Sequence, residues 1–310
     1  MASRGGREMG PVPLGWPAVK APKLPPARAV ELAGRGRAWV YDSGPAARPD
    51  RPALLLLHGW TSTAALNWHR CFAGLVPEYR VLALDLRGHG RGIRSRLPFR
   101  LEDCADDAAA LITTLGLGRV TAVGYSMGGP VAQLLWKRHP QAVDGLVLCA
   151  TAARFSVRQE LGGPLVTLGL GASMALSLLP EVVRRQGMTL ASRNWAASRV
   201  IPAWAIEEWE RNDPGALIQA GLALGRFDST GWISTVDVPT ALVVTALDNT
   251  VPPSRQWQLA RSVPGAVAFP VQAGHRACVE KPRLFLPALM AACRAAQAKD
   301  RAAIEIEPSA

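Results

Sequence analysis

Gly124-Tyr125-Ser126-Met127-Gly128 constrains this chain more than any other stretch. The spacing is G-x-S-x-G, a pattern in which a strand turns sharply into a helix and holds a serine at the tip. The turn is so tight that side chains two residues either side of the serine would collide, and glycine has no Cβ. The flanks agree with it. Val120-Thr121-Ala122-Val123 is short, apolar and β-branched, as a buried strand should be. Gly129 adds close-packing room. Val131, Ala132, Leu134, Leu135 and Trp136 then mark the apolar face of a helix that closes at Lys137-Arg138-His139-Pro140.

Three further segments follow the order this setting predicts. Ala53-Leu54-Leu55-Leu56-Leu57 is an apolar run ending in His58-Gly59-Trp60, and Arg80-Val81-Leu82-Ala83-Leu84 is another, ending in Asp85-Leu86-Arg87-Gly88-His89-Gly90. A late strand over Val238–Thr245 delivers Asp248, and His275 follows in Ala273-Gly274-His275. Serine, then aspartate, then histidine is the α/β-hydrolase order, not that of the chymotrypsin or subtilisin folds. On these four ordered motifs, about residues 28–293 resemble an α/β-hydrolase of the broad esterase, epoxide-hydrolase and cofactor-free haloperoxidase branch. The resemblance implies an α/β-hydrolase fold. That means a mostly parallel eight-stranded sheet flanked by helices, with a helical lid inserted after the sixth strand. It is specific for fold and not for substrate.

The chemistry implied is acyl transfer through a covalent intermediate. Ser126 is the expected nucleophile. His275 takes its proton and returns it to the leaving group, because a serine hydroxyl is a poor nucleophile unaided. Asp248 fixes the tautomer of His275 and stabilises the imidazolium. By position, the oxyanion hole uses the backbone N–H groups of Trp60 and Met127. The Trp60 side chain is then expected to shape the acyl pocket. His58, Gly59, Gly124, Gly128 and Gly129 are structural members of the motifs. Asp237 and Asp228 are rival carboxylates. Asp248 is preferred because it lies just past the C-terminal end of its strand, where open α/β sheets place their sites. His58 and His89 are read as turn supports, His139 as a partner of a helix C-terminus, and His69 as a surface or packing residue. Asp85 and Arg87 are expected in internal ion pairs or hydrogen bonds.

Composition narrows the alternatives. Hydrophobic residues make up 49% and charged residues 19%, a globular balance. The net charge of +11 is almost all arginine, with lysine only at Lys20, Lys23, Lys137, Lys281 and Lys299. No block of five or more basic residues occurs, and none alternates with aromatics, which disfavours nucleic-acid binding. Cys71, Cys104, Cys149, Cys278 and Cys293 lack C-x-x-C spacing, so neither a zinc cluster nor a disulfide framework is expected. Most read as buried hydrophobes in a reducing compartment, Cys278 included although it follows His275 by three residues. No signal-peptide pattern opens the chain, so a cytoplasmic location is expected. The chemistry needs no metal or organic cofactor.

The expected organisation is a flexible arm over 1–27, a core over 28–152 and 236–294, a helical cap over 153–235, and a tail over 295–310. Strands are expected at Ala29–Leu32, Ala38–Asp42 and Gly145–Cys149, and helices over Thr61–Leu75, Leu101–Leu115, Ser254–Val263 and Lys281–Arg294. The early acids of the second helix, Glu102, Asp103, Asp106 and Asp107, suit its dipole. The cap is too long for a structureless loop. Its run Leu161–Pro180 carries no charge, but Pro164 and the glycines around it argue against a membrane-spanning helix. The expectation is an apolar lid that touches lipid peripherally. With Trp195, Trp204, Trp209 and Trp232 it suggests a greasy pocket for a small hydrophobic ester. Thioesterase, acyltransferase and perhydrolase or haloperoxidase reactions share the same triad. Epoxide hydrolases and haloalkane dehalogenases use an aspartate at the elbow, which Ser126 replaces here. A non-catalytic ligand binder on the same fold is the rival from another class.

Overall fold

The computed structural model describes residues 21–44, 51–155, 179, 183, 186–187 and 201–298. Eight strands form one sheet: β1 (Ala27–Leu32), β2 (Gly36–Asp42), β3 (Ala53–Leu57), β4 (Arg80–Asp85), β5 (Val120–Tyr125), β6 (Val143–Cys149), β7 (Thr240–Thr245) and β8 (Val267–Val271). Their order is β1-β2-β4-β3-β5-β6-β7-β8. The first two pairings are antiparallel and the rest parallel. The helices among the described residues are α1 (Ala64–Trp68), α2 (Phe72–Leu75), α3 (Leu101–Thr114), α4 (Gly128–Arg138), α5 (Ala203–Glu210), α6 (Pro214–Arg226), α7 (Pro253–Ser262), α8 (Ala277–Glu280) and α9 (Pro282–Ala295).

The strand sequences explain this layering. Side chains alternate between faces along a strand, so a strand covered on both faces reads as continuous apolar sequence. In β3, Leu55 and Leu57 enter the core that also holds Leu111 of α3, Val131 and Leu135 of α4, and Leu259 of α7. Leu54 and Leu56 enter the opposite core with Trp68 of α1, Leu75 of α2 and Phe285 and Leu289 of α9. β1, at the edge, shows only partial burial. Strand order reverses at β3, with β4 on one side and β5 on the other. The carboxyl ends of β3, β5, β7 and β8 share one edge, where such sheets place their ligands.

Some expectations needed correction. The helix expected over Thr61–Leu75 is two short helices. Between them the His69 ring bonds the Leu66 carbonyl and the Cys71 N–H reaches back to Trp68, which diverts the backbone from continuous helical pairing. β8 had no sequence signal of its own, because Pro270 argues against a strand. A proline is tolerated there because the strand lies at the sheet edge. Asp106 and Asp107 do more than offset the α3 dipole. Asp107 binds Arg35 and Arg87, and Asp106 binds Arg138 and His139. Trp232 stacks on Trp136 of α4 at 6.3 Å between centroids, under Lys137, so it packs against the core helix. Within the expected cap, α5 and α6 are helical. The run Leu161–Pro180, apart from Leu179, lies outside the described residues, as do Trp195 and residues 1–20 and 299–310. No helix among the described residues is long and apolar enough to cross a membrane.

Candidate active site

The serine is displayed by exclusion. β5 ends at Tyr125, α4 starts at Gly128, and Ser126 between them has φ 51°. A non-glycine residue in that region costs about 1–3 kcal/mol, so its surroundings must hold it there. A Cβ on Gly124 would strike the Gly128 carbonyl, one on Gly128 the Leu57 carbonyl, and one on Gly129 the Thr151 side chain. The Ser126 N–H donates to the Cys149 carbonyl at 2.9 Å, and its own carbonyl accepts from Thr151 Oγ1 at 2.8 Å and the Gly129 N–H at 2.9 Å.

The acid and base arrive from the far side of the sheet. Asp248 follows β7 and His275 follows β8. Ser126 Oγ lies 3.0 Å from His275 Nε2, and His275 Nδ1 lies 2.7 Å from Asp248 Oδ2. Burial would push the Asp248 carboxyl up. Hydrogen bonds from His275, the Val251 N–H and the Thr245 hydroxyl, with the charge of His275, outweigh it and hold the group below its ordinary value. Asp248 is therefore ionised at neutral pH, accepts from Nδ1–H, and leaves Nε2 free to accept the serine proton.

The loop after β3 completes the arrangement. Gly59 abuts the serine: a Cβ there would sit 3.3 Å from Ser126 Cβ. Its N–H donates to Asn67 Oδ1 at 3.0 Å. His58 donates from Nδ1 to the Gly59 carbonyl at 2.8 Å and accepts from the Leu86 N–H on Nε2 at 3.0 Å, tying the ends of β3 and β4 together. Both uses require a neutral ring, and burial, with His89 nearby, holds His58 down to about 3. Among the described residues, no group accepts from the backbone N–H of Trp60 or of Met127. Met127 caps the start of α4, where backbone donors lack intrahelical acceptors, which suits its N–H to an anionic oxygen.

Comparison with known proteins bears on the family and the fold. A family profile described as alpha/beta hydrolase fold matches residues 52–165. A pimeloyl-[acyl-carrier protein] methyl ester esterase of Neisseria meningitidis is 30% identical over 223 residues, spanning 69% of this chain and 82% of that protein. The chain belongs to the α/β-hydrolase family. An uncharacterized protein of Mycobacterium tuberculosis is 35% identical over 133 residues, 43% of this chain, and the match spans only 38% of that relative. A hydrolase structure from Pseudomonas aeruginosa superposes with a TM-score of 0.68 at 22% identity, covering 86% of this chain and 97% of that one.

Within this α/β-hydrolase the rival residues are occupied elsewhere. Asp237 accepts from the Trp136 indole at 3.0 Å, and Asp228 binds Thr230. His139 binds Asp106 at the end of α4, and His69 packs edge-on against Trp204. Arg87 is paired with Asp107. Asp85 accepts from the N–H groups of Ala64 and Arg91, both at 2.8 Å, and burial pushes its carboxyl up to about 6.

Thr245, Gln256 and Asn67 carry no sequence signal. Thr245 Oγ1 donates to Asp248 Oδ2 at 2.7 Å, and Gln256 Nε2 on α7 lies 3.2 Å from the same oxygen. The N–H groups of Thr250 and Val251 hold Oδ1 at 2.8 and 2.9 Å. On the other flank, Asn67 Nδ2 reaches Cys278 Sγ at 3.6 Å, Cys278 contacts the Tyr125 hydroxyl, and that hydroxyl donates to the His275 carbonyl. Burial pushes the Cys278 thiol up to about 12, so it stays a neutral link between the two loops. These are ordinary buried polar residues whose roles arise only when distant segments meet.

Proposed function

We propose that this chain is a serine hydrolase that cleaves a hydrophobic carboxylic ester through an acyl-enzyme. The contact of Ser126 Oγ with His275 Nε2, backed by Asp248, carries the reading. Ser126 attacks the carbonyl carbon while His275 takes its proton, and the N–H groups of Trp60 and Met127 hold the oxyanion. Collapse breaks the ester C–O bond, and the alcohol leaves with the proton from His275. Water then attacks the acyl group, giving its proton to His275, and the acid departs as Ser126 regains it. An ester as substrate class accords with the relative named a methyl ester esterase. Apolar character rests on the uncharged run 161–180. The test is fluorophosphonate labelling together with p-nitrophenyl esters from acetyl to palmitoyl. Labelling and turnover are expected, rising with chain length beyond acetate. Both should vanish in Ser126→Ala, with a loss on the order of 10⁶-fold in kcat. Labelling without ester turnover would point to a thioester or another acyl acceptor. Neither would point to a binder.

A further inference from the structure

We propose that cap helix α6 positions the oxyanion loop through the side chain of Trp60, with Gly221 as the residue that makes this possible. The inference rests on the ester-hydrolase reading. The Trp60 indole Nε1 donates to the Leu217 carbonyl on α6 at 2.7 Å. One turn further along α6, a Cβ on Gly221 would lie 2.7 Å from Trp60 Cζ2 and 3.1 Å from Cη2. Glycine in a helix interior is unfavourable, and here it opens the groove in which the indole lies. The very next residue, Thr61, has φ 58°, so the loop that carries Trp60 turns directly into a backbone conformation that needs external support.

The helix can give that support because it is itself anchored to the core. The Asp213 N–H donates to the Gly88 carbonyl at 2.9 Å, and Asp213 caps the Ala216 N–H at 2.9 Å. The Phe99 N–H binds Gln219 Oε1 at 2.7 Å, and the Gly90 N–H binds Asn212 Oδ1 at 2.8 Å. Arg91 pairs with Glu208 of α5 at 3.0 Å. The indole thus joins a braced helix to the loop whose N–H faces the reacting oxygen. A side chain expected to line the acyl pocket serves as a strut, and Trp60 and Gly221 are positioning residues.

A double-mutant cycle tests this on esters that the wild type hydrolyses. Gly221→Ala should lower kcat by about 10- to 100-fold with KM changed by less than about threefold, because a displaced donor weakens the transition state more than the ground state. In a Trp60→Ala background, where no indole remains to be displaced, Gly221→Ala should change kcat by less than about twofold. Trp60→Phe, which keeps a ring and removes the donor, should lower kcat by about tenfold. It carries the test alone if Gly221→Ala fails to fold. Wild-type kcat in Gly221→Ala or in Trp60→Phe, or an equal loss from Gly221→Ala in both backgrounds, overturns the inference. Failure of the wild type to label with fluorophosphonate instead removes the ester-hydrolase reading, a result distinct from any of these.

Discussion

Two halves of the candidate site hold their groups in place by different means. At Ser126 the chain is excluded from alternatives: Gly124 and Gly128 leave room for backbone and nothing else, and φ 51° follows. At Asp248 the carboxylate is held by attraction, with two N–H groups on one oxygen and Thr245, Gln256 and His275 around the other. Steric exclusion is local, and one pentapeptide encodes it. Attraction requires partners from a strand, a turn, a helix and a second loop. The comparison predicts that the serine half breaks when volume is added, and the acid half when charge is removed.

Among variants that keep the Ser126 hydroxyl, the largest effect is expected in the acid half. Asp248→Asn keeps the volume but replaces an acceptor oxygen by a donor, so His275 is driven to the wrong tautomer. The expected fall in kcat is about 10⁴-fold, with fluorophosphonate labelling slowed in parallel. Activity within tenfold of wild type would mean that Asp248 orients His275 without setting its protonation, and the two halves would then differ less than argued.

The serine half should fail through stability. In Gly124→Ala the new methyl meets the Gly128 carbonyl and Gly129 Cα, backbone atoms that cannot turn aside. Overpacking of this kind costs typically about 1–3 kcal/mol, and the rigid neighbours place it at the upper end. Gly231→Ala is the control, because a Cβ there meets nothing within 4 Å. It should be neutral, or stabilising by up to about 1 kcal/mol. Chemical denaturation of the two variants decides the point. Equal stabilities would show that the elbow yields, and that exclusion does not hold the serine.

The same contrast explains what could be read before any coordinates. Ser126, His275 and the elbow glycines follow from short local patterns, and the parallel sheet follows from apolar runs such as Ala53–Leu57. Asp248 stands out from three aspartates by its place after a strand, and the hydrogen bonds of Asp237 and Asp228 account for the other two. Thr245, Gln256 and Asn67 were invisible, since nothing in a lone threonine or amide states which carboxylate or N–H it will meet. Trp60 was legible as a backbone donor but not as a strut, because the groove at Gly221 lies on a helix about 160 residues away. β8 shows little strand signal in sequence, since Pro270 interrupts its five residues and only a place at the sheet edge tolerates it.

Acidification sharpens the comparison, because the two halves titrate in different ranges. His58 and His89, at the ends of β3 and β4, are buried, and burial holds them down to about 3 and about 4. Unfolded, each takes a proton near its ordinary value of 6.5. As pH falls below 6.5 the unfolded state therefore binds more protons, and stability is lost at about 1.4 kcal/mol per pH unit for each histidine. Asp85 opposes this. Its carboxyl is pushed up to about 6 in the fold, so between that value and its ordinary 3.8 the folded state binds the extra proton. His58 and His89 against Asp85 leave a net loss of about 1.4 kcal/mol per unit between pH 6 and 4, and His69, which burial also holds below its ordinary value, adds to the loss. Asp248 acts later: its folded value is depressed, so its contribution is present above the ordinary carboxylate value and fades only as pH falls below it. Urea midpoints measured from pH 7.5 to 4.5 should decline from about pH 6.5 downward, well above the carboxylate range. Midpoints that stay level until pH 4 would show that this histidine pair accepts protons in the folded protein, contrary to the neutral ring that the His58 hydrogen bonds require.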